Sequence, residues 1–421
     1  MPKVLYVWKG KYPWDIRAEK ICKALIQQGF DVFLLGRWTE GQMERENIDG
    51  INIIRVGYNK NYNLTQPMSY NPIWKKAIKQ AIDEIKPDII MPRDIMLAEA
   101  CGKLGRNQNI PVIMDMAENY PAAMKDWKKY KKSFLSRLAV HYLNLPELVE
   151  KRAVNIMDGI ITVCDEQNLR LYEEYRFGMD MISVVHNTPK KEFFDSVDSN
   201  RLTVDRKTIS NEELGIRNSQ INTIPDLQLV NESGKGNKDK IVFGHHGFTS
   251  DEKSLVTFLF GFEQAAIEND KIEFHIAGSG ESNEQLKDIA VKLSSSDKII
   301  FYGEYNYNKL PEIISHWDIG VIPYQINDFN NYTIHNKIFD FFAMGKPVFC
   351  SETKPFKRII SETNAGILVN CEKEFEIRNA ILKMADMDLS DMSNNGRKSF
   401  EDKYNWDFDS LNLINFIKRF V

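Results

Sequence analysis

Residues 336–348 read NKIFDFFAMGKPV. The first part has helical spacing, Gly345 is a natural stop, and Pro347-Val348 opens an apolar strand-like run. Asn336 and Asp340 stand four residues apart and so share one helix face, with Lys337 beside them. Ile338, Phe339, Phe341 and Phe342 fill the opposite arc. An acidic residue is thus held on a short helix committed to a core. A carboxylate so placed can accept two hydrogen bonds from a ribose diol, and the helix start can face a diphosphate. A solvated face on an ordinary amphipathic helix has the same spacing.

Outward from this segment, strand-like and helix-like runs alternate, the pattern of parallel α/β sheets. Strands are expected at 4–8, 32–35, 51–56, 89–91, 112–114, 160–163 and 182–185, then at 241–244, 273–277, 299–302, 319–322 and 347–351. Helices are expected at 18–28, 74–85, 255–267, 284–293 and 310–315. Asp88, Asp158 and Asp318 each stand just before an apolar strand and after a helical run, as punctuation of αβ units. The stretch 195–240 has no Phe, Trp or Tyr and is rich in Asn, Ser, Asp and Lys, so it buries little apolar area and reads as a linker or insertion. The expected fold class is α/β, with two doubly wound Rossmann-like domains. The first covers 1–190, a polar linker 191–240, and the second 241–404. An amphipathic helix at 405–421 follows.

With 421 residues, 43% apolar and 27% charged, the chain is globular in composition. No run approaches the ~18 apolar residues of a membrane span. Cys22, Cys101, Cys164, Cys350 and Cys371 are an odd, scattered set without a CxxC pair, which points to a reduced, cytoplasmic chain with no zinc site. His245 and His246 are adjacent on a strand and therefore face opposite ways, which argues against a metal pair. The net charge of −4 argues against general nucleic-acid binding. Residues 1–190 carry a net +5 and the remainder −9, so an anionic partner fits the first half better.

Two further segments follow strands. GHHGFTSDEKS, 244–254, has strand–turn–helix order, with Gly247 permitting close backbone approach and Lys253 able to meet phosphate oxygens. AGSGE, 277–281, is a lone GxG turn. Neither Walker A nor GxGxxG occurs, so a nucleoside triphosphatase has little support.

Together these segments resemble the nucleotide-sugar site of retaining glycosyltransferases of family 4, which have the GT-B fold, two Rossmann-like domains facing a central cleft. The order and spacing of HIAGSGES, IIFYGEYNYNKLPEIISHWDIGVIPY and NKIFDFFAMGKPV are similar to that family. In the first half KGKYPWDIRAEKICKALIQQGFDV, DGIITVCDEQNLRLYEEY and VVHNTP are similar as well. The resemblance implies that Asp340 holds the ribose, Lys253 contacts the diphosphate as a catalytic cation, and Gly247 lies near it. It implies that Asn336 and Lys337 stand beside the phosphates and sugar, and that Tyr302, Gly303 and Glu304 lie where the base is contacted. Gly10 falls in an N-terminal loop facing donor phosphates or acceptor, with Asp15 and Arg17 on the acceptor side. The helix 405–421 is expected to cross back onto the first domain.

Some positions depart from the family. Phe248 stands where the family has Arg, leaving Lys337, His246 or Arg17 to supply that charge. Tyr332 occupies the place of the first acid of a paired-Glu motif. Asp115-Met116-Ala117-Glu118 keeps the acids of the family's Asp-x-His-Glu stretch without its His, and Glu118 is the candidate catalytic group there. The implied reaction moves a sugar from a nucleoside diphosphate sugar to a hydroxyl of a saccharide or lipid-linked acceptor, with retention, in surface polysaccharide or glycoconjugate assembly. No cofactor or metal is implied. A non-catalytic GT-B partner subunit and a nucleotide-sugar epimerase are the alternatives. Residues 125–137, KDWKKYKKSFLSR, interleave five Lys and one Arg with Trp127, Tyr130 and Phe134; this suits an anionic membrane surface, and equally a solvated helix with anchoring aromatics.

Overall fold

The computed structural model describes residues 1–13, 15–58, 71–127, 130–131, 133–195, 240–250 and 254–421. Two units divide the chain. One holds Met1–Asn187, Tyr332–Ile334 and Phe408–Val421; the other holds Thr188–Asn331 and His335–Asp407.

The first unit carries β1 (Lys3–Lys11), β2 (Asp31–Arg37), β3 (Arg45–Ile48), β4 (Ile51–Val56), β5 (Ile89–Pro92), β6 (Ile113–Asp115), β7 (Gly159–Thr162) and β8 (Ile182–Val184). Five strands run in the order β3-β4-β2-β1-β5 and three in the order β6-β7-β8. Only β3 is antiparallel to its neighbour. Single parallel bridges, Ile90 to Val112 and Arg93 to Asp115, join the two sets. The second unit carries β9 (Ile241–His246), β10 (Ile272–Ala277), β11 (Ile299–Gly303), β12 (Ile319–Ile322), β13 (Val348–Ser351) and β14 (Gly366–Val369). Its sheet is wholly parallel, in the order β11-β10-β9-β12-β13-β14. The order reverses between β9 and β12, and ligands of such sheets bind at the carboxyl ends beside that point.

Helices cover these sheets, which explains why β5, β7, β12 and β13 are buried at every residue and read as unbroken apolar runs rather than alternating ones. The sequence reading does not name β3 and β14. The first is a polar edge strand, RENI, and the second a four-residue strand opening on Gly366. The C-terminal helix runs Trp406–Ile417, and within the first unit Phe416 and Phe420 lie against Gly159. Asp409 accepts the backbone N–H of His186 at 3.2 Å. Among the described residues no helix is long and apolar enough to cross a membrane.

The three aspartates ahead of strands share one job. Asp88 accepts the N–H of Lys3 at 2.7 Å, Asp158 that of Val112 at 2.8 Å, and Asp318 that of Val242 at 2.7 Å. In return their own N–H groups donate to the carbonyls of the same three residues at 2.8, 2.9 and 2.9 Å. Each aspartate closes the open end of a neighbouring parallel strand, where an amide would otherwise lack a ladder partner. Hydrogen bonds to charged groups contribute about 1.5–3 kcal/mol. Asp158→Ala is therefore expected to lower unfolding free energy by roughly that amount, read as a lower urea midpoint with unchanged slope.

Candidate functional site

In the second unit the last residues of β9 and β10, His246 and Ala277, pair with each other. The chain then turns at Gly247, whose φ is +93°. A Cβ at Gly247 would stand 3.0 Å from Lys337 Nζ, so the bare backbone admits that ammonium against the turn. Lys337 opens the helix Lys337–Ala343 and its Nζ also donates to the Tyr324 hydroxyl at 3.4 Å.

Asp340, on the same helix, is only 6% exposed, which removes the solvated-face reading of this segment. Its Oδ2 lies 3.6 Å from His246 Nε2. The His246 ring is oriented by near-parallel Trp317 at 6.5 Å and edge-on Phe341 at 5.1 Å, and Tyr305 Oη lies 3.4 Å from its Nδ1. Phe341 reaches this place because Gly320 of β12 has no side chain; a Cβ there would stand 2.4 Å from the ring. His245 turns to the other face, its Nδ1 2.8 Å from the Val321 carbonyl oxygen. The two histidines are thus separated as strand alternation requires. Among the described residues no three His, Cys, Asp or Glu side chains group as metal ligands.

A cavity of about 570 Å³ opens beside these groups, bounded by Gly247, Phe248, Gly278, Ser279 and the stretch 304–307. Burial first, then the charge of Asp340, pushes the phenol of Tyr305 up. Tyr307 stacks on Phe193 at 4.6 Å, and Ser279 Oγ donates to Glu304 at 2.8 Å. Phe248 projects 58% exposed at the rim, where it offers an apolar edge instead of a charge.

The remaining donor-side expectations divide. Gly303, with φ +74°, acts through its carbonyl, which accepts the Gly278 N–H at 2.7 Å. Tyr302 has its hydroxyl 3.1 Å from His275 Nδ1 and its ring edge-on to Trp317, and burial pushes its phenol up to about 12. Asn336 makes no side-chain cap bond, and Ile338 N–H donates to the His335 carbonyl at 3.4 Å. Lys253 lies outside the described residues. Sequence reasoning missed Tyr324 and His335, whose rings stack at 3.4 Å while His335 Nε2 meets Asn330 Oδ1 at 2.8 Å. The only signal was the position of His335 directly before Asn336-Lys337.

In the first unit Gly10 is corrected from loop to strand, because β1 continues to Lys11 and pairs with Arg37. Asp15 caps the helix Ile16–Gln27, accepting the Ala18 N–H at 2.8 Å, and pairs with Arg93. Arg17, expected on the acceptor side, is buried. Its Nε and Nη2 donate to Asp115 at 3.0 and 2.7 Å, and its Nη1 to the Val185 carbonyl at 2.9 Å. Tyr6 adds a hydroxyl bond to Asp115 at 2.7 Å. Burial opposes the charge of Asp115, but Arg17, Arg93 and these bonds outweigh it and hold its pKa below the usual value. Glu118 stands in the turn after β6, its carbonyl accepting from Gln167 Nε2 at 3.2 Å.

Residues 240–387 match the family of glycosyl transferases group 1, and residues 16–188 match glycosyltransferase family 4. An uncharacterised glycosyltransferase of Methanocaldococcus jannaschii is 27% identical over 158 residues, a match spanning 36% of this chain and 38% of that protein. Among solved structures, a sucrose-phosphate synthase from Thermosynechococcus elongatus is similar with a TM-score of 0.71 at 15% identity, covering 100% of this chain and 99% of that one. A glycosyltransferase from Rickettsia africae gives 0.69 at 14%, covering 100% and 98%. Anabaena HepE, solved in complex with UDP-glucose, gives 0.64 at 12%, covering both chains fully. These likenesses show the fold, two Rossmann-like GT-B domains.

Removing Arg17 strands a buried carboxylate. Arg17→Met is expected to cost about 3–5 kcal/mol of stability, and the added change Asp115→Asn to restore part of it, both measured by urea unfolding. Asp115 has a depressed folded pKa, so its contribution is complete above the unfolded value of about 3.9 and is lost as pH falls below it. An acid titration of stability should therefore be shallower in Asp115→Asn than in the wild type.

Proposed function

We propose that this chain, supported as a group 1 glycosyltransferase by the matches on both of its halves, transfers a sugar from a nucleoside diphosphate sugar to an acceptor hydroxyl with retention of configuration. The observation that carries the reading is Asp340, a buried carboxylate fixed beside a cavity on the half that matches the group 1 family. It would accept the two ribose hydroxyls, and His246 would orient it. Lys337, lying against the Gly247 turn, and Lys253 would neutralise the charge that grows on the diphosphate as the bond from the anomeric carbon to the phosphate oxygen breaks. The acceptor oxygen bonds to that carbon on the same face, its proton is released, and the nucleoside diphosphate departs. Lysines supply the positive charge in this scheme, so chelation of divalent metal should leave turnover unchanged. Glu118 would position the acceptor. The product would enter polysaccharide or glycoconjugate assembly.

Thermal stability with UDP, GDP, ADP and their sugar conjugates tests the donor. Binding to the native state alone raises stability by about 2.7 kcal/mol at a hundredfold excess over Kd. One nucleotide should stabilise the wild type and fail to stabilise Asp340→Ala; no stabilisation by any of them would overturn the reading. Lys253→Ala should lower kcat by about 10²–10³-fold with little change in melting, and full activity in that variant would remove its catalytic role.

A further inference from the structure

At the carboxyl ends of β10 and β11 two turns are tied together. Gly278 N–H donates to the Gly303 carbonyl at 2.7 Å, and Ser279 Oγ donates to Glu304 Oε1 at 2.8 Å. Gly278 has a φ of +126°, and a Cβ there would stand 2.2 Å from the Gly247 carbonyl oxygen, so this corner packs backbone against backbone. It forms part of the lining of the cavity of about 570 Å³. Glu304 is exposed; among the described residues Ser279 is its one hydrogen-bond partner, and no cation pairs with it. Its Oε2 and a lone pair of Oε1 are therefore open to a ligand that donates. Two residues on, Asn306 lines the same cavity and is exposed. Its Oδ1 accepts the Asn308 N–H at 3.0 Å. A backbone N–H can only donate, so the amide oxygen faces Asn308 and Nδ2 remains as a donor.

Charge identifies which part of a donor this lining meets. Among the described residues that form it there is no Lys, Arg or His. A carboxylate without a cation repels phosphate. On the reading that Asp340 holds the ribose, the diphosphate runs toward Lys337 and the base meets Glu304 and Asn306. Phe248, Tyr305 and Tyr307 supply aromatic surface on which a base can stack.

We infer, resting on that donor reading, that Glu304 and Asn306 select guanine, so that the co-substrate is a guanosine diphosphate sugar. The reason is the order of donors and acceptors along each base's edge. Guanine carries two adjacent donors, N1–H and the N2 amino group, with the O6 acceptor next to them. A carboxylate accepts both donors in parallel, and an amide N–H answers O6. Uracil sets one N–H between two carbonyls, and both repel a carboxylate. Adenine and cytosine each set an acceptor nitrogen beside the amino group, which repels it as well. A site built for paired donors rejects bases that lack them. Isothermal titration calorimetry of the full chain with GDP, IDP, UDP and ADP is the test. IDP keeps O6 and N1–H and lacks the N2 amino group. GDP should bind about tenfold or more tighter than IDP, UDP or ADP. Glu304→Gln puts an amide in place of one carboxylate oxygen. It should weaken GDP about tenfold or more, shrink the preference for GDP over IDP, and leave UDP binding no weaker. Position 304 lies at the surface, so the melting temperature should be unchanged. UDP or ADP binding as tightly as GDP, an unchanged GDP-to-IDP ratio in the variant, or an equal loss of GDP and UDP overturns the guanine assignment and leaves the donor reading standing. Absence of binding by every nucleotide overturns both.

Discussion

A parallel sheet leaves no edge of its chemistry on its faces: helices cover both sides, so only the strand ends remain open. The placement of the candidate site in the second unit follows from that constraint. At the amino ends of the strands, three aspartates close neighbouring strands with reciprocal bonds. At the carboxyl ends, glycine turns and short helices bring Gly247, Lys337, Asp340 and His246 together beside the reversal of strand order in the second unit.

The two units use buried charge differently. In the first, Asp115 gathers Arg17 and Tyr6 into a closed arrangement, and Asp15 divides itself between a helix cap and Arg93. In the second, the Asp340 carboxylate is buried with its Oδ2 3.6 Å from His246 Nε2. Burial and then Asp340 push the neighbouring Tyr305 phenol up. Around the cavity, the carboxylate of Glu304 and the Tyr305 and Tyr307 hydroxyls lie near Asp340 and the Lys337 ammonium, a mixed polarity on which the donor proposal rests.

Much of this was legible in the sequence because it is local. The apolar arc of Ile338, Phe339, Phe341 and Phe342 is buried, and Asp340 on the same helix is buried with it. Adjacent His245 and His246 diverge by strand alternation. The aspartates at 88, 158 and 318 read as punctuation, although nothing in their spacing showed that each holds a neighbouring strand's amide. Trp127 shows the opposite lesson: an aromatic among lysines looks like a membrane anchor, yet it belongs to the core, and the exposed apolar surface begins at Phe134.

Sequence by itself determined the alternating α/β order, the two-part organisation and the helix that carries Asp340, since periodicity, turn residues and helix stops act over a few residues. Tertiary structure alone decided which polar groups meet. Arg17 finds Asp115 across 98 positions, Tyr302 turns to His275 across 27, and His246 reaches Tyr305 across 59. A side chain's partner depends on which strand ends the sheet order brings side by side, and that order is set by packing of both sheet faces rather than by any local spacing.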